Sequence, residues 1–183
     1  MSPIILFQGG SVVLSNVDVE NLLKRGIIRI NPAPEKEQIG PGSVDLTLSN
    51  EFWRFKEKSK GKEYDLDEIN LDEITEKIVN EKIVLSPGEL ILGKTVERIT
   101  LPENICGYLE GRSRYARRGL AIHVTSSFIQ PGSDNRQVLE IVNLAPYKII
   151  LRAGIRCTQV IFEEMNTPTS KPYKKVGTVA RKQ

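Results

Sequence analysis

Residues 82–110, KIVLSPGELILGKTVERITLPENICGYLE, contain the pattern that decides the fold class. Three short apolar or alternating runs lie at 82–85, 89–99 and 107–110, and Pro87-Gly88 separates the first two. Alternation of apolar and polar residues predicts strands with one buried face, and a Pro-Gly pair predicts a turn. This segment therefore predicts consecutive strands.

The same pattern continues on both sides of this segment. Further predicted strands are IIRI (27–30), SVDLTL (43–48), EFWRF (51–55), LAIHVT (120–125), QVLEIVN (137–143), YKIILR (147–152) and CTQVIF (157–162). Further turns are predicted at Pro131-Gly132 and Gly154. Many short strands with frequent turns predict a mainly β fold of the barrel or sandwich type. No internal repeat is visible, and we expect a single domain over residues 1–183.

Two internal segments depart from the β pattern. Residues 14–26 predict a short helix, because Ser15 and Asp18 form an S-x-x-D cap and Gly26 provides a stop. Residues 54–82 predict a charged insertion between strands: its first part, 54–62, is basic, and its second part, 65–81, carries seven acids against one base. We expect this insertion to be solvated, with a partly amphipathic helix over 65–81.

Both ends of the chain differ in composition from the middle. Residues 165–183 contain five basic residues, two prolines and no acid, which predicts a mobile basic tail. Residues 1–12 form an extra N-terminal segment without the basic region of a signal peptide.

Composition excludes several functional classes. With two cysteines and one histidine in 183 residues, a disulfide framework and a Cys-rich zinc site are excluded. A Ser-His-Asp mechanism would have to use His123. No apolar run approaches the roughly 18 residues of a membrane span, and a net charge of +3 is too small to indicate nucleic acid. We therefore expect a cytoplasmic protein with neither a membrane nor a nucleic acid as partner.

The densest cluster of charge is GRSRYARRGL at 111–120. It predicts a strand followed by one or two helical turns that end at Gly119. Backbone N–H groups beside Arg112 and Ser113, together with guanidinium groups, suit a polyphosphate. A solvated basic turn explains the same residues, so both interpretations stay open.

A second candidate is Glu140 in the apolar strand QVLEIVN. With a period of two, Glu140 shares one face with Val138, while Leu139 and Ile141 share the other. Glu140 is then either an edge residue facing water or a partly buried acid with a partner. A partly buried acid near arginine is a candidate general acid and base.

These segments together resemble the dCTP deaminase family, which shares the fold of the trimeric dUTPases. The resemblance covers residues 13–32, 39–55, 85–132 and 138–165, and its most specific part is GRSxxARxGL followed some twenty residues later by the glutamate of VLE. It implies a distorted β-barrel or jelly-roll subunit that is active as a homotrimer with sites between subunits. The implied reaction is hydrolytic, zinc-independent deamination of dCTP to dUTP and ammonia in the biosynthesis of dUTP and dTTP, with Mg²⁺ accompanying the triphosphate.

The resemblance also implies roles for individual residues. Glu140 matches the catalytic glutamate of the family. Ser113 and Arg117 match the residues that position water and support this glutamate. The implied substrate-binding residues are Arg112, Arg114, His123, Val124, Thr125, Ser126, Gln130, Gln159, Tyr173 and Lys174. Among these, residues 123–126 would contact the base through their backbone, and the basic tail would fold over the nucleotide.

Two details of the sequence bear on the chemistry. Zinc-dependent nucleobase deaminases carry an H-x-E and a P-C-x-x-C pattern, whereas His123 is followed by Val124 and Thr125 and no C-x-x-C occurs. Gln130 replaces an aspartate that in dUTPases and bifunctional relatives helps to orient the water attacking the α-phosphate, which argues against hydrolysis of dUTP. The alternatives are a bifunctional dCTP deaminase and dUTP diphosphatase, a dUTPase, or a non-catalytic module that binds nucleotides or nucleic acid.

Overall fold

The computed structural model describes residues 12–177, which form short helices and many strands. The α-helices are α1 (Asn16–Lys24), α2 (Leu71–Ile74), α3 (Ser113–Ala116) and α4 (Tyr173–Val176), and 3₁₀ turns lie at Lys36–Gln38 and Glu57–Ser59. The strands are β1 (Val12–Val13), β2 (Arg29–Asn31), β3 (Val44–Leu46), β4 (Leu48–Phe55), β5 (Thr75–Val79), β6 (Lys82–Leu85), β7 (Leu90–Thr100), β8 (Ile105–Gly111), β9 (Leu120–Ile122), β10 (Phe128–Ile129), β11 (Asp134–Asn143), β12 (Ile149–Arg152) and β13 (Thr158–Glu164). None of the helices in this part of the chain is long and apolar enough to cross a lipid bilayer.

The strands form three antiparallel sheets. Sheet A has the order β1-β13-β8-β10, with β3 also paired to β13. Sheet B has the order β5-β4-β7-β11-β9, with β2 also paired to β7, and β6 pairs with β12 in a separate ribbon. The mainly β fold of the jelly-roll type is confirmed, although the sheets do not close into a single barrel.

The predicted N-terminal helix is confirmed as α1. Ser15 caps it, since the Ser15 Oγ accepts from the Asp18 N–H and the Asp18 carboxylate accepts from the Ser15 N–H at 3.0 Å. Gly26, at φ +67°, follows the helix and allows the chain to reverse. The buried Val19 places the apolar side of α1 against sheet A.

The core has two parts. One cluster joins α1 and sheet A to β2 and the end of β7, and includes Val44, Leu46, Val160 and Phe162. The other joins sheet B to the β6–β12 ribbon and includes the residues Phe52, Leu85, Ile141 and Leu151. The chain passes from one cluster to the other between β3 and β4.

The helix expected over 65–81 is wrong, because much of the second half of the insertion is a strand. β5 pairs with β4, with Phe52 opposite Ile78, and the helical part is the single turn α2. Pairing with β4 satisfies the backbone of β5 and packs Ile78 against the second core cluster, which outweighs the weak amphipathic pattern. Residues 60–68 are exposed, as expected for a charged excursion.

The described part of the basic tail is hydrogen-bonded to the rest of the protein, contrary to the expectation of a mobile tail. The Met165 N–H donates to the Asn104 carbonyl at 2.8 Å, and the Thr169 N–H donates to the Glu103 carbonyl at 2.8 Å. The Tyr173 N–H donates to the Pro131 carbonyl at 3.0 Å, so α4 lies on the Pro131-Gly132 turn. Residues 178–183, and residues 1–11 of the predicted N-terminal segment, lie outside the described part of the chain.

A buried carboxylate holds the crossing between the sheets. Glu97 on β7 is 2% exposed. Its Oε2 accepts from the backbone N–H of Thr47, between β3 and β4, at 2.8 Å, and its Oε1 accepts from the Gln38 side-chain amide at 3.1 Å. The same Gln38 amide donates to the Asp45 carbonyl at 2.8 Å. Glu97 therefore ties both strands at the crossing to β7.

Replacing Glu97 by glutamine should destabilise the protein by about 1–3 kcal/mol, because one carboxylate oxygen becomes an amide donor that faces another donor. Urea unfolding followed by circular dichroism measures the change. Glu103→Gln is the matched control, since Glu103 is exposed. Equal stability of the two variants would contradict the role given to Glu97.

Candidate active site

Glu140 occupies a central strand of sheet B. Its neighbours Leu139 and Ile141 are fully buried on the core side, and Glu140 is half-buried on the outer face opposite Leu92. The Glu140 Oε2 accepts from the Thr125 N–H at 3.1 Å and from the Thr125 hydroxyl at 3.0 Å. Glu140 is thus the partly buried acid with a partner, and its Oε1 has no hydrogen-bond partner within residues 12–177.

His123 begins the segment that reaches Thr125. Its N–H donates to the Glu140 carbonyl at 2.9 Å, and its φ of +53° is unusual for a residue with a side chain. The strand predicted over 120–125 ends at Ile122 for this reason, so residues 123–126 lie in the connection after β9 rather than in a strand. Val124, Thr125 and Ser126 are exposed there.

The His123 imidazole is buried beside Glu140. Neither ring nitrogen has a hydrogen-bond partner in the described part of the chain. Burial lowers the pKa of His123, and the charge of Glu140 opposes that shift. Burial of the ring thus favours its neutral form.

The basic segment forms the predicted strand, helical turn and glycine. β8 ends at Gly111, α3 follows, and Gly119 has φ +84°. The Gly119 carbonyl accepts from the Leu144 N–H at 2.8 Å, and the Arg118 carbonyl accepts from the Tyr147 hydroxyl at 3.1 Å. These contacts hold the backbone of the turn on the loop after β11, while the side chains of Arg114, Arg117 and Arg118 are exposed.

Within this turn the predicted residues differ in their surroundings. Ser113 and Arg117 are exposed, and the Arg117 N–H donates to the Ser113 carbonyl at 3.0 Å. The Arg114 guanidinium lies 5.4 Å from the centre of the Tyr115 ring, and Tyr115 packs against the second core cluster. The turn thus places the basic side chains of Arg114 and Arg117 at the surface, while Tyr115 is partly buried.

Arg112 is held by groups that the sequence did not indicate. Its Nη1 lies 2.9 Å from the Asp45 Oδ2 and donates to the Arg156 carbonyl at 2.8 Å. Burial raises the pKa of Asp45, and the charges of Arg112, Arg156 and Arg114 oppose that rise. In the sequence, the one signal for Asp45 is that it is an acidic residue between two apolar residues, Val44 and Leu46.

Gln159 lies beside this ion pair. It is opposite Asp45 on one side and Glu110 on the other, and its Oε1 accepts from the Ser43 hydroxyl at 2.8 Å. The structure thus brings the two predicted substrate-binding residues Arg112 and Gln159 to the same region, at the start of β13 and the end of β8.

Gln130, Tyr173 and Lys174 form a third group. The Gln130 carbonyl accepts from the Ser133 hydroxyl at 2.6 Å, and the Lys174 N–H donates to the Gly132 carbonyl at 3.3 Å. Gly132, at φ +78°, lies so close to the tail that a Cβ there would be 2.6 Å from Pro172. The tail residues therefore lie on the turn that follows Gln130.

Within residues 12–177 of one chain, no hydrogen bond or ion pair joins Glu140 to Ser113 or Arg117. Both cysteines are free and buried, and burial raises the pKa of Cys157 to about 12, so neither is suited to act as a nucleophile. In the same part of the chain, no cluster of three His, Cys, Asp or Glu side chains could hold a metal. A groove of about 940 Å³ between residues 54–64 and 84–90 contains none of the predicted site residues.

Comparison with known proteins identifies the family of the chain. A family model described as dCTP deaminase-like matches residues 13–165. The dCTP deaminase of Rhodospirillum rubrum is 38% identical in an alignment 169 residues long, which covers 87% of this chain and 86% of that protein. The "dCTP deaminase, dUMP-forming" of Methanosphaera stadtmanae is 37% identical in an alignment 164 residues long, which covers 88% of this chain and 83% of that protein.

Solved structures show the same fold at low identity. The 2'-deoxycytidine 5'-triphosphate deaminase of Agrobacterium tumefaciens superimposes with a TM-score of 0.67 and 18% identity over 84% of this chain, which spans about half (48%) of that protein. A dUTPase from phage phi11 of S. aureus superimposes with a TM-score of 0.52 and 15% identity, over 82% of this chain and 99% of that one. The chain belongs to the dCTP deaminase-like family. The resemblance stated from the sequence is confirmed, as is the prediction of an enzyme of this family.

Gly119→Ala should displace the arginine turn for two reasons. An added Cβ would lie 2.5 Å from the Ala145 Cβ, and the φ of +84° at this position is strained for alanine. Gly154→Ala is the matched control, since Gly154 has φ +83° with open space around it. We expect the Gly119 variant to lose about 1–3 kcal/mol more in stability than the control. Thermal and urea unfolding measure the difference, and equal losses would show that the close approach to Ala145 has no cost.

Proposed function

We propose that this protein catalyses the hydrolytic deamination of dCTP to dUTP and ammonia. The observation that carries the proposal is the Glu140 carboxylate, whose Oε2 is fixed by Thr125 and whose Oε1 is left without a partner in residues 12–177. A fixed carboxylate with one available oxygen is suited to bind and activate a water molecule. The names of the Rhodospirillum rubrum and Methanosphaera stadtmanae relatives support cytosine in a triphosphate as the substrate.

In this proposal Glu140 performs the proton transfers without a metal. It takes a proton from the water that attacks C4 of the base, delivers a proton to N3, and assists the departure of the amino group as ammonia. Water and dCTP are consumed, and dUTP and ammonia are formed, so no redox partner is needed. The lack of the zinc-deaminase sequence pattern supports a carboxylate as the only acid and base.

The phosphate-binding part of the proposal uses the arginine turn. Arg112 and Arg114 would contact the triphosphate, Ser113 and Arg117 would position the water and Glu140, and residues 123–126 would contact the base. Gln130 and Gln159, with the tail residues Tyr173 and Lys174, would complete the pocket. Mg²⁺ would arrive with the triphosphate and neutralise part of its charge, held mainly by phosphate oxygens and water.

We further propose a homotrimer with sites between subunits. Within residues 12–177 of one chain, no hydrogen bond or ion pair joins Glu140 to Ser113 or Arg117, which supports this, because a neighbouring subunit could supply such contacts. The outer face around Glu140 is also partly apolar, with Val138 and Val142 half-buried along β11 and Leu92 opposite. Such a face is suited to a subunit contact. With its two cysteines free, we place the protein in the cytoplasm, in deoxynucleotide metabolism.

A product assay tests the reaction. Purified protein incubated with dCTP and Mg²⁺ should release ammonia and dUTP in equal amounts, and Glu140→Gln should retain dCTP binding while turnover falls at least about 10²–10⁴-fold. Glu76→Gln, on an exposed position of β5, is the control and should retain activity. Absence of ammonia from the unmodified protein would refute the proposal, and full activity of the Glu140 variant would refute the role of Glu140.

A second candidate product is dUMP. It is favoured by the names of two relatives of this chain, the "dCTP deaminase, dUMP-forming" proteins from Methanosphaera stadtmanae and Methanothermobacter thermautotrophicus. Gln130 argues against it, because an amide cannot act as the carboxylate that orients water at the α-phosphate. The two products are separated in the same assay by measuring pyrophosphate and dUMP. Their formation from dCTP or dUTP would replace the first candidate with a bifunctional enzyme.

Light scattering should give a mass near three times 20.6 kDa. Glu140→Gln and Arg117→Ala should each be inactive alone, yet regain partial activity when unfolded and refolded together, because a mixed trimer contains some sites with both residues intact. A monomer, or no recovery in mixtures shown by light scattering to be trimeric, would contradict the shared site.

A further inference from the structure

Asp45 is a largely buried carboxylate in a place where simple electrostatics opposes the binding of an anion. Its side chain is 13% exposed and lies 2.9 Å from the Arg112 guanidinium. A negative charge beside an arginine that binds phosphate weakens the attraction between that arginine and the phosphate. Its presence there calls for a role other than attraction.

The contacts of Arg112 show what Asp45 contributes. Both partners of Arg112, Asp45 and the Arg156 carbonyl, lie on Nη1. The Nε and Nη2 atoms, which form the side-on edge of the guanidinium, donate no hydrogen bond within residues 12–177. That edge carries two parallel N–H groups, the arrangement that binds phosphate in a bidentate manner.

The carboxylate itself is rigidly placed. Asp45 is on β3 between Val44 and Leu46, which are fully buried, and its carbonyl accepts from the Gln38 amide at 2.8 Å. Gln38 is in turn bound to the buried Glu97. A rigid acid can therefore fix the orientation of the longer and more flexible arginine side chain.

We propose that Asp45 is a positioning residue, which holds Arg112 by Nη1 so that its Nε–Nη2 edge is presented to the triphosphate. This inference rests on the proposed function, since it assigns Asp45 to the phosphate end of the same site. It adds to that site a residue that does not itself contact the substrate.

The sign of the change in KM tests the proposal. If Asp45 orients Arg112, Asp45→Asn should raise the KM for dCTP about tenfold and leave kcat within about twofold, because the loss is in binding and not in the chemical step. If Asp45 merely neutralises charge, the same variant should lower the KM. An unchanged or lower KM would overturn the proposal.

Glu35→Gln is the matched control. Glu35 is 67% exposed and forms an ion pair with Arg156, so this variant removes one negative charge from the same cluster without touching the Arg112 side chain. We expect its KM to stay equal or to fall slightly. A rise equal to that of Asp45→Asn would show that the cluster responds only to total charge, and would overturn the proposal.

A double-mutant cycle with Arg112→Ala separates positioning from general loss of structure. If Asp45 acts through Arg112, Asp45→Asn should add no further rise in KM when Arg112 is already alanine. If Asp45→Asn does not fold, Asp45→Glu is measured in the same cycle, where a KM rise that disappears in the Arg112→Ala background is again expected. A full additional rise in the double variant would refute the proposal.

Binding of inorganic tripolyphosphate by calorimetry distinguishes this inference from the proposed reaction. If the unmodified protein binds tripolyphosphate but does not deaminate dCTP, the proposed function fails, and a weaker affinity in Asp45→Asn still supports the positioning role. If dCTP is deaminated normally and Asp45→Asn changes neither KM nor tripolyphosphate affinity, the positioning role fails alone. If the unmodified protein neither binds tripolyphosphate nor turns over dCTP, both fail.

Discussion

The buried carboxylate of Glu97 is the constraint on which the rest of this structure depends. It accepts the backbone N–H of Thr47 where the chain leaves sheet A for sheet B, and so it fixes β3 and β4 against β7. β7 pairs with β11, which carries Glu140, and β3 carries Asp45 two residues before the crossing. Because a shift of one residue turns a strand's side chains to the opposite face, both halves of the candidate site depend on this one contact.

Three acids in this chain have different roles because their surroundings differ. Glu97 is enclosed by neutral donors that occupy both of its oxygens, so it is structural. Asp45 lies among guanidinium groups that oppose the rise of its pKa caused by burial, and we propose that it orients Arg112. Glu140 has one oxygen fixed by Thr125 and one without a hydrogen-bond partner in residues 12–177, an arrangement suited to the proton transfers proposed for it.

Local sequence patterns predicted the elements whose contacts are local. The cap of α1 at Ser15 and the turn that ends at Gly119 follow from residues only a few positions apart. Prediction failed at β5, where pairing with β4 overrode a weak helical pattern, and at His123, where a side-chain bond from Thr125 to Glu140 accompanies the end of β9. Both failures involve partners that are distant along the chain, and propensity does not report such partners.

The sequence by itself determined the mainly β class, the family, and the identity of the residues proposed for catalysis, since these follow from short motifs such as GRSRYARRGL. Only the tertiary structure decided which atoms meet: the Thr125 hydroxyl on Glu140, and the Asp45 carboxylate on Arg112. The physical reason is that strand pairing and register join residues far apart in the chain. An isolated acid in an alternating strand, such as Asp45, has the same pattern whether its neighbour is water or a guanidinium group.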